Sequence, residues 1–444
     1  MIQREITTPI KIEKKVYQGY GLTKWKDTTL FVHYGVPGDV VEAKIILRKR
    51  GFSFAEIDKL KEASPARIAV DCDAFGKCGG CDWLNIRYEN QLKYKEEILN
   101  EFFYKYPSEV LPMYGCKQPE HYRNKCFYPL AMKNGKPEFG MFARGSHSVT
   151  SHEKCFLQPE VFDELAKVFC HYITNSKETI YNEHNGIGNI RHIGFRMAPE
   201  TGEVLVIIVT TKRRIAFSKQ LVRALHAVYG NISGVIQNIN AEKGNVIMGR
   251  DYKLLDGEAY MNGILAGKKF KLSYDAFFQV NNETATAMIE YCKEQVKEDA
   301  ILIDAYCGTG TIGISLADKV QKVIGIDFSL AAIRNARQNT LINEIGNCEF
   351  IRGDVAKEIS EVLSNSKSDT IIFDPPRKGL EPETIAAVTE SKIPQVIYIS
   401  CNPSTQIRDI KLFIEAGYEL KSRRGFDMFP QTWHIENVVV LECK

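Results

Sequence analysis

Ile301-Leu302-Ile303-Asp304-Ala305-Tyr306-Cys307-Gly308-Thr309-Gly310-Thr311-Ile312-Gly313 is the stretch on which the fold of this 444-residue chain turns. An apolar strand runs into a glycine-rich loop, and the loop opens a helix. Glycines permit a tight turn and close approach of the backbone to a ligand. Working outward, a second strand (322 to 327) ends on Asp327, 23 residues after Asp304, well placed for ribose hydroxyls. Further strands at 370 to 374 and 395 to 400 alternate with helix-like segments, and ENVVVLE from Glu436 supplies a last one. This alternation predicts an α/β, doubly wound, Rossmann-like sheet covered on both faces. Ligands of such sheets gather outside the carboxyl ends of the strands, so chemistry is sought there. Dinucleotide and S-adenosylmethionine sites share the loop geometry, and the loop alone leaves a dehydrogenase open.

Two later strand ends carry further signals. After the third strand comes Asp374-Pro375-Pro376-Arg377, where two prolines stiffen the backbone and fix the Asp374 carboxylate where a planar base can reach it. After the fourth comes Ser400-Cys401-Asn402-Pro403, a thiol just before a helix. A helix N-terminus is expected to lower its pKa, and the thiolate is the nucleophile. A dehydrogenase has no evident need of this pair, whereas a pyrimidine methyltransferase does. Carbon 5 of uracil is too weak a nucleophile until a thiolate adds to carbon 6, and a base must afterwards remove the carbon 5 proton. Glu436, heading the last strand, is the acid chosen for that role, although spacing alone leaves a merely solvated glutamate equally open.

The remaining chain bounds the class. Composition is ordinary for a globular protein, no segment has the apolar length of a membrane span, and the N-terminus lacks a secretory leader, so a cytoplasmic protein is expected. Net charge is only +3, but residues 1 to 60 hold 11 basic and 7 acidic side chains. Short apolar runs punctuated by Gly19, Gly21, Gly35, Pro37 and Gly38 predict a small β-barrel there, with Lys44, Arg48, Lys49 and Arg50 on or beside its third run. A basic face of this kind serves nucleic acid or mere solvation. Cys72, Cys78 and Cys81 fall within ten residues and read as metal ligands, with zinc and iron–sulfur both open on chemistry alone. Cys116, Cys126, Cys170, Cys292, Cys307, Cys348 and Cys443 read as small apolar side chains. A helix from Tyr88 to about Tyr106 and a mixed α/β region over 118 to 270, with a strand at 204 to 209, complete the outline.

Taken together, these motifs resemble the RNA uracil-5-methyltransferase family, specifically its iron–sulfur branch acting on 23S ribosomal RNA. GYG and FVHYGVPGD at the front look like a TRAM domain, a small RNA-binding barrel. FFQVN (277 to 281), DAYCGTGTIG, DPPRKG, ISCNPST and FPQTWHIENV resemble the family's catalytic motifs. The resemblance implies three domains: 1–62 a TRAM barrel, 63–270 a central α/β domain with the iron–sulfur site, and 271–444 the methyltransferase domain. It implies Cys401 as nucleophile and Glu436 as proton acceptor. Gln279, Tyr306, Gly308, Gly310 and Asp327 then belong to the S-adenosylmethionine site, with Asp374 between cofactor and target uracil. This chain has Asp327 where some members carry glutamate. Cys155, in SHEKCFLQ, joins the other three cysteines as ligand of a [4Fe-4S] cluster, with zinc the weaker occupant.

The expected partner is 23S ribosomal RNA, bound by a monomeric enzyme with no membrane. Lys44, Arg48, Lys49 and Arg50 are candidate contacts, followed by Arg191, Arg196 and Lys212. Rival readings are separable. Radical methylthiotransferases also join a TRAM domain, a cluster and S-adenosylmethionine, but space their cysteines by three and two residues; here the gaps are five and two. A non-catalytic assembly factor would not need Cys401 and Glu436. Methylation of transfer RNA is the alternative substrate, and relatives of that kind generally lack the front domain and the cluster.

Overall fold

The computed structural model describes residues 5–183 and 185–444. Its last third, joined by one strand from earlier in the chain, forms an eight-stranded sheet in the order Cys348–Arg352, Lys322–Asp327, Ile301–Ala305, Thr370–Phe373, Gln395–Ser400, Glu436–Cys443, Tyr418–Phe426, Glu109–Tyr114. The first five run parallel, and Glu436–Cys443 lies antiparallel to both its neighbours. The central strands are largely apolar because both faces are covered. Leu302, Ile372 and Ile397 pack into one core, while Ile303, Ile371 and Val396 pack into the other. Strand order reverses between Ile301–Ala305 and Thr370–Phe373, which places a crevice at their carboxyl ends.

The edge strand Glu109–Tyr114 comes from far earlier in the chain and pairs parallel with Tyr418–Phe426. Beside it, the helix Tyr88–Phe103 carries the fully buried Lys95, whose ammonium meets Asp427 at 2.6 Å. Burial pushes the Lys95 pKa down and the Asp427 carboxylate opposes this. The pair anchors the segment leading to Glu436, since Lys95 also donates to the Phe429 carbonyl. Lys95→Met would leave Asp427 buried without its cation, and a loss of about 3–5 kcal/mol of stability is expected. Urea unfolding with an unchanged slope checks this.

A seven-stranded sheet occupies the middle of the chain. Its strand Val204–Thr210 is wholly buried: Val204, Val206 and Ile208 pack under the helices Glu160–Ser176 and Ser218–Val228, and Leu205, Ile207 and Val209 join the core shared with the last sheet. Here the apolar run predicted at 204 to 209 is a two-faced interior strand.

Residues 10–62 form a six-stranded sheet around Leu30, Val32, Val41, Ala43, Ile45 and Ala55. One segment supplies both edges, Ile10–Lys11 pairing with Val40–Val41 and Lys14–Lys15 with Gly21–Leu22. The sheet docks on the rest through Gly19, whose carbonyl accepts from Trp83 Nε1 at 3.1 Å and Lys15 Nζ at 2.9 Å. Gly19 has φ +90°, and a Cβ there would lie 2.9 Å from the Trp433 ring, so only glycine fits. Cys116, Cys126, Cys292 and Cys307 are buried, as expected for apolar fillers; Cys170, Cys348 and Cys443 are half-buried. Among the described residues no helix is long and apolar enough to cross a membrane.

Candidate active site

Strand register brings the predicted residues to one edge. Ala305 pairs with both Ile326 and Phe373, so Tyr306, Asp327 and Asp374 emerge side by side. Ser400 pairs with Asn437 on the antiparallel strand, so the residue leaving one, Cys401, meets the residue entering the other, Glu436. An antiparallel strand thus begins where its parallel neighbour ends.

The glycine loop is tightly tied. Tyr306 has φ +67°, its ring partly buried against Phe373, and its N–H donates to the Ile326 carbonyl at 2.9 Å. Gly308 N–H donates to Asp327 Oδ2 at 3.0 Å, and Ser329 N–H to Asp327 Oδ1 at 2.8 Å. A Cβ on Gly308 would meet nothing, which leaves open space against the loop. Gly310 differs: at φ +80° its Cβ would lie 2.8 Å from Ile314 Cδ1 and 3.1 Å from Phe350, because the loop packs down onto the sheet there. Asp304 Oδ2 accepts from Gly313 N–H at 2.8 Å, and burial raises the Asp304 carboxyl to about 7. Gln279 is half-buried, its carbonyl held by Asn124 Nδ2 at 2.9 Å, just before Asn281 caps the helix Asn282–Gln295.

Cys401 is half-buried and its thiol is pushed up to about 11, by burial first and then by the Glu436 and Asp374 carboxyls. This corrects the expectation of a helix-lowered thiol. Asn402, not Cys401, is the N-cap of Pro403–Glu415, and its side chain already accepts the Ser404 N–H at 3.2 Å. The Arg377 guanidinium, beside the thiol, works in the opposite direction. Glu436 is buried and its carboxyl is held well above the usual range by burial and by Asp374, with Arg377 again opposing. Asp374 is likewise raised by burial. The cluster is therefore one thiol and two carboxyls sharing one cation. At neutral pH the Cys401 thiol of the unliganded protein is therefore held in its protonated form. Alkylation of Cys401 by iodoacetamide is accordingly expected to be slow at pH 7 and to climb about tenfold per pH unit toward 11, read by peptide mass spectrometry.

Arg377 is signalled in the sequence by no more than its place after Asp374. Asn402 Nδ2 holds the Arg377 carbonyl at 3.0 Å, and Tyr17 from the N-terminal sheet donates its hydroxyl to Asn402 Oδ1 at 3.0 Å. A cleft of about 770 Å³ opens beside this edge, lined by Arg123, Arg144, Arg191, Arg377, Trp433 and His434 among others. Its basic lining converges from distant loops and left no run in the sequence.

The predicted RNA contacts divide. Arg50, Lys49 and Lys212 are exposed, Lys44 is half-buried, and Arg48 is paired with Glu5. Arg196 is 1% exposed and donates to the Ser273 and Tyr274 carbonyls at 2.7 and 3.0 Å, so it is a structural donor and not a surface contact. Arg191 is also buried, bonded to the Asn240 and Glu242 carbonyls and to Glu183.

Cys72, Cys78, Cys81 and Cys155 line a single small pocket together with Leu84 and Met141. The thiols influence one another: Cys81 is raised by burial and then by Cys155, Cys78 and Cys72. Among the described residues no three His, Cys, Asp or Glu side chains are arranged to hold a metal ion.

Comparison with known proteins gives a consistent picture. Residues 87–444 match the family described as tRNA (Uracil-5-)-methyltransferase. A relative from Clostridium tetani, described as an uncharacterized RNA methyltransferase, is 34% identical over 98% of this chain and 97% of its own. One from Bacillus cereus, with the same description, is 32% identical over 97% and 95%. The crystal structure of Pyrococcus abyssi tRNA (uracil-54, C5)-methyltransferase with S-adenosyl-L-homocysteine superposes with a TM-score of 0.80 at 26% identity, covering 98% of this chain and 100% of that one.

Proposed function

The chain belongs to the tRNA (uracil-5-)-methyltransferase family, and from that premise we propose that it methylates carbon 5 of a uridine in 23S ribosomal RNA, using S-adenosylmethionine, with Cys401 as nucleophile and Glu436 as base. The observation that carries the reading is the register that sets Cys401 against Glu436, with Asp374 and Arg377 beside both. Arg377 favours the ionised forms of thiol and glutamate. The Cys401 thiolate adds to carbon 6 of the uracil, and the ring electrons move to carbon 5 and oxygen 4. Carbon 5 then bonds the methyl carbon as that carbon's bond to the donor's sulfonium sulfur breaks and the neutral thioether leaves. Glu436, ionised at this stage, takes the carbon 5 proton as the bond between sulfur and carbon 6 breaks, returning thiolate and 5-methyluridine. S-adenosylmethionine, when bound, supplies the electrophilic methyl group.

The residues fit that donor. Open space over Gly308 admits close approach, Asp327 offers a carboxylate to ribose hydroxyls, and Tyr306 and Gly310 belong to the same loop; Gln279 joins the site through the family resemblance. Four thiols around an apolar pocket match the all-thiolate donor set of a [4Fe-4S] cluster, with zinc the weaker occupant. Cys72, Cys78, Cys81 and Cys155 would hold it, and it would brace the loops that border the cleft through Gly80, which lines both pockets. The single segment that supplies both edges of the N-terminal sheet supports reading residues 1–62 as a TRAM barrel, followed by the central domain to 270 and the methyltransferase domain beyond.

Transfer RNA is the second reading, favoured by the Pyrococcus abyssi enzyme. Because that enzyme matches this chain nearly end to end, possession of the N-terminal region does not separate the two substrates. Methyl transfer from labelled S-adenosylmethionine to 23S and transfer RNA transcripts decides. Incorporation into 23S RNA alone is expected; incorporation into transfer RNA alone overturns the ribosomal substrate and keeps the chemistry.

A further inference from the structure

The N-terminal sheet carries an aromatic hollow for which the chemistry above has no use. Strand alternation sends Leu30, Val32 and Ala55 into the core and Phe31, Phe52 and Phe54 to the outer face. Phe31 pairs in register with Phe54, and their rings stack at 5.4 Å and 29°. Tyr20 lies 5.2 Å from Phe54, and Phe52 lies 5.8 Å from Phe31. With Tyr17 these rings bound a hollow of about 460 Å³, and Phe52 remains 36% exposed. Such an apolar surface left in water marks a binding face.

Charge says which partner. Lys49, paired in register with Phe52, and Arg50 at the adjoining turn have no ion pair among the described residues, whereas neighbouring Arg48 is neutralised by Glu5. Rings beside free cations are what an unpaired nucleotide requires: a face to stack on and a charge for its phosphate. Position says which RNA. Tyr17 borders the hollow and also bonds Asn402, next to Cys401. Tyr20 further borders a narrow pocket with Asp82 and Arg144, which themselves line the large cleft beside Arg377. The hollow and the catalytic edge are therefore stations on one continuous surface.

We infer that this hollow stacks an unpaired base of the substrate RNA, on Phe31, Phe52 and Phe54, while the target uridine occupies the catalytic edge. The inference rests on RNA being the substrate. Extruding a uridine unstacks its neighbours, and a second stacking surface recovers part of that cost.

The test uses the full-length protein and a single-stranded RNA of about twelve uridines with one central 2-aminopurine, within the span of strand such surfaces track. Binding should quench the 2-aminopurine by stacking. The double variant Phe31→Ala, Phe52→Ala should lose the quenching and bind about tenfold or more weakly, with its salt dependence unchanged. Phe31→Tyr with Phe52→Trp, which keeps the rings, should restore both. Lys49→Ala with Arg50→Ala should instead flatten the salt dependence. Normal affinity and quenching in the alanine double variant would overturn the inference. Methyl transfer at saturating substrate RNA, measured in parallel, keeps the two readings apart. Transfer that continues while the alanine variant still binds and quenches removes the stacking site alone. Absence of transfer from a wild-type protein that quenches normally removes the catalytic reading alone.

Discussion

Cys401→Ala is expected to abolish methyl transfer, by at least about 10⁴-fold, while leaving the fold and the affinity for S-adenosylmethionine intact. The size follows from chemistry. Without a sulfur to add at carbon 6, carbon 5 of uracil carries no developed negative charge and cannot attack the methyl group. The side chain is half-buried at a strand end and fills no core, so the lost volume costs little stability. Single-turnover transfer of labelled methyl reads the effect. A variant within tenfold of wild type would mean that the thiol is a bystander.

Glu436→Gln should behave differently. Addition and methylation remain possible, but the carbon 5 proton has no acceptor, so turnover should fall about 10²–10⁴-fold while the methylated RNA stays bound to Cys401. The substitution also removes a carboxyl that, once ionised, raises the Cys401 pKa, so the midpoint of Cys401 alkylation against pH in the unliganded variant should fall below that of the wild type. Slow turnover with no accumulated adduct would place Glu436 outside the proton transfer. The adduct readout matters because Glu436 is buried, and a merely structural role would not leave methylated RNA bound to Cys401.

The sequence made the parallel strands legible because burial on both faces leaves runs such as Ile301–Ile303 and Gln395–Ser400 almost wholly apolar. Their ends pointed to Asp327, Asp374 and Cys401 for the same reason. The meeting of Cys401 with Glu436 was not legible from spacing, since it depends on the last strand running antiparallel. Strand Glu109–Tyr114 was hidden by Pro112, which an edge strand tolerates, and by its exposed residues. Arg191 and Arg196 looked like surface cations because strand periodicity does not reveal which arginines are consumed by backbone carbonyls. Position before a helix points to a lowered Cys401 pKa, whereas burial and then the two carboxyls that the fold brings beside the thiol raise it, and neither is visible in the sequence.

The central claim is covalent catalysis by Cys401 on a uracil ring, and trapping tests it most directly. The protein is incubated with S-adenosylmethionine and a 23S transcript bearing fluorine at carbon 5 of its uridines, so that Glu436 finds no proton to remove. Mass spectrometry should then show protein bound to a methylated fluorouridine through the peptide containing Cys401, with nothing trapped in Cys401→Ala. No adduct with either 23S or transfer RNA, from folded protein that binds S-adenosylmethionine, would contradict the account.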